Sequence, residues 1–103
     1  DDILKYNQIR FVIENDEKPI GFIDLFDYNK RLRKAGIGII IIEDFQNMGY
    51  GTESLKLLIS YCWKKLDLLH LYANIKSSNI KSIKLFEKLG FKQYESFLFL
   101  LSK

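Results

Sequence analysis

Two glycines stand one residue apart in the stretch Gln46-Asn47-Met48-Gly49-Tyr50-Gly51-Thr52, where an apolar run gives way to helical spacing. A helix starting there leaves its first backbone N–H groups without partners and carries a partial positive charge. Glycines at such a start let a phosphate approach the backbone closely, and Thr52 adds a hydroxyl donor. The chemistry on offer is anion binding. The plainer reading is a strand-to-helix turn that needs glycine for its dihedrals, and two glycines alone leave the two readings balanced. The stretch lacks the lysine of a P-loop and the third glycine of a dinucleotide fingerprint, so both of those are excluded.

The other reactive residue types read as structural. Cys62 falls on the apolar stripe of the helix that follows and is expected in the core. Tyr61 and Trp63 flank it and are expected on a sheet or at an interface, which leaves room for a homodimer. His70 opens a strand and reads as a structural or surface histidine. Lys30, Arg31, Arg33 and Lys34 form a basic loop, read as solvated; the alternative is a contact with a ligand phosphate. No metal site is read.

The elements that must position the glycine loop follow from periodicity. Ile9 to Glu14 is a strand, Asn15 to Lys18 a turn closed by Pro19, and Ile20 to Phe26 a second strand with Phe22 and the Leu25/Phe26 pair on its apolar faces. Tyr28 to Lys34 reads as a loop. Ala35 to Ile42 is a third strand whose isoleucines predict burial on both faces. Leu55, Leu58, Ile59, Cys62 and Leu66 predict a helix from about Gly51 to Leu66. Leu69 to Ile75 is a fourth strand. Ser77, Ser78 and Asn79 offer N-caps for a second helix that turns Ile80, Ile83, Phe86 and Leu89 inward, with Gly90 at its C-terminal cap. Phe91 to Leu101 is strand-like. The order predicts an α/β or α+β domain with a sheet covered on at least one face.

Composition sets the bounds. The 103 residues suit one domain, residues 1–103, and 48% apolar with 28% charged residues is a globular balance. The longest apolar run, Ile37 to Ile42, is broken by Gly38 and too short to span a membrane. Asp1-Asp2 is the reverse of a basic signal-peptide start. The net charge of +3 comes from scattered lysines with no nucleic-acid stripe, which predicts no nucleic-acid partner and no membrane partner. One cysteine makes no internal disulfide, so a cytoplasmic setting is expected.

Gln46-x-x-Gly49-x-Gly51 resembles the Gln/Arg-x-x-Gly-x-Gly/Ala signature of GNAT acetyltransferases. Three further segments share the likeness. Ala35 to Ile41 resembles the family's central splayed strand, Thr52-Glu53-Ser54-Leu55 the usual helical continuation, and Asn79-x-x-Ser82-Ile83-x-Leu85-Phe86-Glu87-Lys88-Leu89-Gly90-Phe91 the family's Asn-x-x-Ala-Ile-x-Leu-Tyr-Glu-Lys-x-Gly-Phe segment. The resemblance runs from about Ile9 to Phe91 and is nearest to the branch with spermidine and ribosomal-protein N-acetyltransferases.

The resemblance implies a mixed, mostly antiparallel sheet flanked by helices, with acetyl-CoA as cosubstrate and a primary amine as acceptor. It implies that backbone amides of Met48, Gly49, Tyr50, Gly51 and Thr52, with Gln46, hold the pyrophosphate. The pantetheine arm would pair with the backbone of about Ile40, Ile41 and Ile42, and Asn79 would touch the cofactor or a water. The thioester would lie where the sheet splays before Leu69 to Ile75.

Two departures bear on catalysis. The family's tyrosine, often the acid for the leaving thiolate, falls at Phe86, and the strand glutamate of many relatives falls at Gly36. Asp24, Asp27 and Glu43 are nearby carboxylates with no assigned role. Catalysis without a dedicated acid loses roughly 10²–10⁴-fold. The family's first strand and two helices would precede Ile9, and Asp1 to Gln8 cannot supply them. Phe91 to Lys103 should hold two antiparallel strands, yet Tyr94-Glu95-Ser96-Phe97 has no Gly, Pro, Asn or Asp turn, so residues are expected to be absent at both ends. Three functions remain: acetyl transfer to a polyamine-like molecule or a protein, acetyl-CoA binding with little turnover, and an interaction domain with no cofactor.

Overall fold

A computed structural model describes residues 5–103; the reading of Asp1-Asp2 lies outside them. The elements run β1 (Ile9–Asn15), β2 (Lys18–Asn29), β3 (Lys34–Ile41), a 3-10 turn (Glu43–Phe45), α1 (Tyr50–Lys64), β4 (His70–Asn74), α2 (Ile80–Lys88), β5 (Lys92–Glu95) and β6 (Leu98–Ser102). The strands form one sheet in the order β1-β2-β3-β4-β6-β5. Every neighbouring pair is antiparallel except β3–β4. This is the mixed, mostly antiparallel sheet with helices that the resemblance implies.

Both parallel crossovers, β3 to β4 and β4 to β5, advance across the sheet in the same direction. Right-handed connections therefore put α1 and α2 on one face. That face is the core: Ile23, Leu25, Ile37, Leu71 and Phe99 from the sheet pack with Leu55, Leu58 and Cys62 of α1 and Phe86 of α2. Tyr61 and Trp63 join its border, Tyr61 edge-on to Phe11 at 5.6 Å, so they pack on the sheet. The other face carries Val12, Phe22 and Ile40 in one cross-strand row and Phe26, Gly36, Tyr72 and Leu100 in another. Among the described residues neither helix covers it.

Three expectations need correction. The first concerns the basic loop, which is shorter than Tyr28 to Lys34. β2 runs on to Asn29 through an irregularity at Asp27, and the turn is held where Asn29 Oδ1 accepts from the Leu32 amide at 2.9 Å. The second concerns the C-terminal hairpin, which closes with the residues in hand. Ser96 takes the left-handed φ of 39° that the turn needs, and Gln93 donates to its carbonyl. Serine is costlier there than glycine or asparagine but not excluded. Third, β3 is buried on both faces only at its start: Ile37 is 1% exposed and Ile40 is 59% exposed.

In the β1–β2 hairpin, Asp16 and Glu17, both with positive φ, make the two-residue turn between Asn15 and Lys18.

Candidate cofactor-binding cleft

β3 pairs with β4 through only three residue pairs, Lys34–His70, Ala35–Leu71 and Gly36–Tyr72. Against β2 it continues to Ile41. Beyond Gly36 its second edge therefore lacks a strand partner, and the sheet opens as the resemblance implies. Backbone groups alternate sides along a strand. The Ile42 amide donates to Ile20 O on β2 at 2.8 Å, so the backbone of Ile40 also points at β2, and that of Ile39 and Ile41 points into the opening. Of the expected backbone partners, Ile40 and Ile42 turn their polar groups to β2, while Ile41, like Ile39, turns its own away from β2, the Ile41 carbonyl accepting from Gln46 Nε2.

A cleft of about 450 Å³ occupies this opening. One wall is Ile39, Ile40 and Ile41 of β3. A second is the glycine loop and the start of α1, with Gln46, Asn47, Gly49, Gly51 and Thr52. The third is α2 and its cap, with Asn79, Ser82 and Leu85 and the lysines Lys81, Lys84 and Lys88.

The loop has the conformation its glycine requires. Gly49 is the N-cap of α1 in the left-handed region, φ 87° and ψ −6°, and no side chain caps the helix. The first-turn amides of Tyr50, Gly51 and Thr52 have no acceptor within the helix. Any side chain at Gly49 would be strained by its φ. At Gly51 a Cβ would meet Leu85 Cδ2 at 3.2 Å, so a glycine here lets α1 approach α2. Gln46 braces the loop from below: its Nε2 donates to Ile41 O at 2.9 Å, and its Oε1 accepts from Lys81 Nζ at 3.5 Å. Met48 and Ile42 have exposed side chains and lie outside the cleft lining. Tyr50 turns its ring onto Phe45, 6.0 Å away. None of these three lines the cleft with its side chain.

Asn79 lines the cleft and also caps α2, accepting from the Ser82 amide at 3.2 Å. Phe86 is placed otherwise than expected. It is 2% exposed, edge-on to Phe91 at 5.0 Å, and does not line the cleft; Leu85 does. Neighbours on a helix point about 100° apart, so one faces the cleft and the other the core. Gly36 is also closed off, because a Cβ there would lie 2.3 Å from the Phe26 ring.

Of the three carboxylates, Asp24 is held by Arg10 in a two-pronged pair at 2.7 and 2.9 Å. Glu43 is exposed in the 3-10 turn. Asp27 sits at the irregularity of β2 with a φ of 49°, and its Oδ2 accepts from the Tyr72 hydroxyl at 2.8 Å. Burial, then the bond to Asp27, pushes that hydroxyl up to about 12. Tyr72 is the last residue of β4 that pairs with β3, so this pair marks the base of the opening on the helix-free face. Bulges commonly re-aim side chains beside functional sites.

The remaining residues are structural. Cys62 is buried, which pushes its thiol up to about 12. His70 Nδ1 lies 2.8 Å from Ser102 Oγ on the surface. Arg33 is tied to Asp67 at 2.7 Å, and its turn opens β3 at the end away from the cleft. At about 3.3 Å per residue, Lys34 and Ile41 are about 23 Å apart, out of reach for one phosphate contact. Sequence reasoning passed over the three lysines of α2, although the spacing of Lys81, Lys84 and Lys88 on the helix that Asn79 caps is a legible sign of one face.

Known proteins agree with this geometry. A family model described as the acetyltransferase (GNAT) domain matches residues 3–92. The spermidine N(1)-acetyltransferase of Escherichia coli K12 is 37% identical over 82 residues, covering 80% of this chain and 44% of the relative. A probable acetyltransferase of known crystal structure superposes with a TM-score of 0.91 at 24% identity, covering 99% of this chain and 66% of that one. The N-acetyltransferase PseH of Campylobacter jejuni, solved in complex with acetyl coenzyme A, has a TM-score of 0.83 at 22% identity and covers 95% and 70%. The chain spans about half the length of the curated relatives it matches. With an uncapped glycine helix start, an opened β3–β4 ladder and a family match over most of its length, the chain belongs to the GNAT acetyltransferase family.

Proposed function

We propose that this chain is the cofactor-binding part of an N-acetyltransferase that moves an acetyl group from acetyl-CoA to a primary amine. The observation that carries the reading is the cleft itself: free amides at the start of α1 beside the unpaired edge of β3. The cofactor supplies an activated acetyl thioester. The chain's part is to hold phosphate at the amides of Tyr50, Gly51 and Thr52, and to pair an extended amide-bearing arm with Ile39 and Ile41. The acceptor nitrogen attacks the acetyl carbonyl, the carbon–sulfur bond breaks, and the amine loses a proton. Asp27, whose Oδ2 accepts from the Tyr72 hydroxyl on the helix-free face, is our candidate acceptor for a cationic amine or its proton. The acceptor is polyamine-like or a protein amine; the spermidine acetyltransferase relative favours the first.

The reading is tested by thermal denaturation with coenzyme A. At ligand a hundredfold above its dissociation constant, the fold should gain about 2.7 kcal/mol. Gly49→Val, compared with its own ligand-free melting, should lose most of that gain. No shift at millimolar coenzyme A overturns the cofactor reading. A second reading, a binding module with little turnover, is favoured by the enclosure of Phe86 and the Phe26 ring over Gly36. Thiol release with a panel of amines separates the two. A cytoplasmic setting and assembly as a homodimer complete the proposal; light scattering of the full-length protein checks the second.

A further inference from the structure

We propose that Asp27 and Tyr72 form a proton relay for acetyl transfer: Asp27 takes the proton that the attacking amine must lose, and Tyr72 gives one to the departing sulfur. The inference rests on the acetyl-transfer reading above and adds to it the source of the thiolate's proton.

Acetyl transfer to an amine needs one group that accepts a proton and one that supplies it. The described residues near the opening offer few. Phe86 is enclosed in the core and has no ionisable proton. Gly36 has no side chain, and Cys62 is buried in the core cluster. Asp24 is held by both prongs of Arg10, a guanidinium that stays charged, so a proton on Asp24 would break a paired charge. Glu43 is exposed past the Ile41 end of β3. His70 lies two residues further from the opening than Tyr72 and is bonded to Ser102.

The fold brings Asp27 and Tyr72 together at the base of the opening. Strand neighbours alternate faces, so Asp27 should point away from the side that Phe26 faces. The irregularity of β2 after Phe26, where Asp27 takes a φ of 49°, turns its carboxylate back, and Oδ2 accepts from the Tyr72 hydroxyl at 2.8 Å. A left-handed non-glycine residue stores strain, and such strain gathers at functional sites. The Tyr72 ring stands beside Gly36 in the last β3–β4 pair and packs edge-on to Phe26 at 5.8 Å, which fixes its direction. An arm that leaves the glycine loop and follows the free edge of β3 from Ile41 covers about 16 Å before it meets Gly36. The ladder closes there, so the reacting end of the arm stops beside Tyr72.

The relay balances. The amine nitrogen bonds to the acetyl carbon, and the carbon–sulfur bond breaks with its electron pair going to sulfur. Asp27 accepts the proton from the nitrogen. Tyr72 passes its hydroxyl proton to the sulfur and takes the Asp27 proton in exchange, which returns both residues to their starting states. Burial, then the bond and the charge of Asp27, hold the Tyr72 proton in place. Once Asp27 is neutral the last two lapse, so the proton is loosened when sulfur needs it.

The test is steady-state acetyl transfer by the full-length protein with Tyr72→Phe, Asp27→Asn and the double variant. Each single variant should lose about 10²-fold or more in kcat, as general acids and bases contribute. KM for acetyl-CoA, and the thermal shift with coenzyme A, should stay within about twofold of the original, because ground-state binding is untouched. The double variant should be no slower than the slower single one, since the two act as a unit. Asp24→Asn removes a carboxylate from the same face and should leave kcat at the original level. Losses that multiply in the double variant, that fall on KM instead of kcat, or that Asp24→Asn matches overturn the relay. So does a kcat for Tyr72→Phe equal to the original. Coenzyme A binding without thiol release in the unaltered protein overturns the relay alone; no binding takes the cofactor reading with it.

Discussion

Between Lys34 and Gly36, β3 has a strand on each side; between Ile39 and Ile41 it has one. The residues are alike, since isoleucine recurs at 37, 39, 40 and 41, yet on the helix-covered face Ile37 is 1% exposed while Ile39 and Ile41 are only half-buried, and Ile40 on the helix-free face is 59% exposed. One half of the strand is core and the other is a wall of the cleft. The difference shows where a binding surface comes from in this sheet. It is made by ending a ladder early, so that backbone groups which would pair with β4 are left for a ligand. An unpaired strand edge invites another extended chain, and in this fold the start of α1 and the lysines of α2 close around it.

The contrast can be broken most strongly at the isoleucines. Ile37→Ala should destabilise the protein by about 2–5 kcal/mol, as deletions from a packed core do. Ile40→Ala should change stability by no more than about 0.5 kcal/mol. Urea melts of both decide the matter; equal losses would mean that the packed start of β3 and its exposed helix-free side share one environment.

The glycines on the helix-free face give the next effect. A Cβ at Gly36 meets the Phe26 ring at 2.3 Å, whereas at Gly38 nothing lies within 4 Å. Gly36→Ala should cost about 1–3 kcal/mol through overpacking. Gly38→Ala should be neutral or stabilise by about 0.5–1 kcal/mol, because alanine loses less backbone entropy in a strand. Similar melting of the two variants would remove the distinction.

A third measurement probes the enclosed side. The Cys62 thiol, fully buried and raised to about 12, should resist a thiol reagent in the folded protein and react on unfolding. Rapid labelling under native conditions would place Cys62 outside the core.

The smallest effect lies at the base of the opening. The Tyr72 hydroxyl titrates near 12 in the fold against an ordinary value of 10.0, so the native state favours its neutral form. The associated stability is fully present below pH 10 and is lost as pH rises through the interval to about 12. Tyr72→Phe should flatten that part of the alkaline decline, and chemical melts at several alkaline pH values, against the unaltered protein, read it. An unchanged slope would mean that neither burial nor the bond to Asp27 raises the Tyr72 hydroxyl.

Sequence alone determined the local features of this protein. The glycine pair, the period of α1, Asn79 ahead of α2 and Gly90 behind it depend on residues near one another, and backbone sterics and capping act at that range. The family motifs are local in the same sense, which is why the cleft's loop and cap were legible. Tertiary structure alone decided which half of β3 is buried, because that depends on where β4 stops pairing. Spacing had already turned Phe86 inward, but only the packing of α1 against α2 decided that Leu85 lines the cleft. Tertiary structure joined Asp27 to Tyr72 across 45 residues, and it set the lysine face of α2 opposite the start of α1. Its use of Ser96 in the last turn shows the same hierarchy: once β4 and β6 pair over five residues, that ladder can outweigh a strained dihedral that local preference advises against.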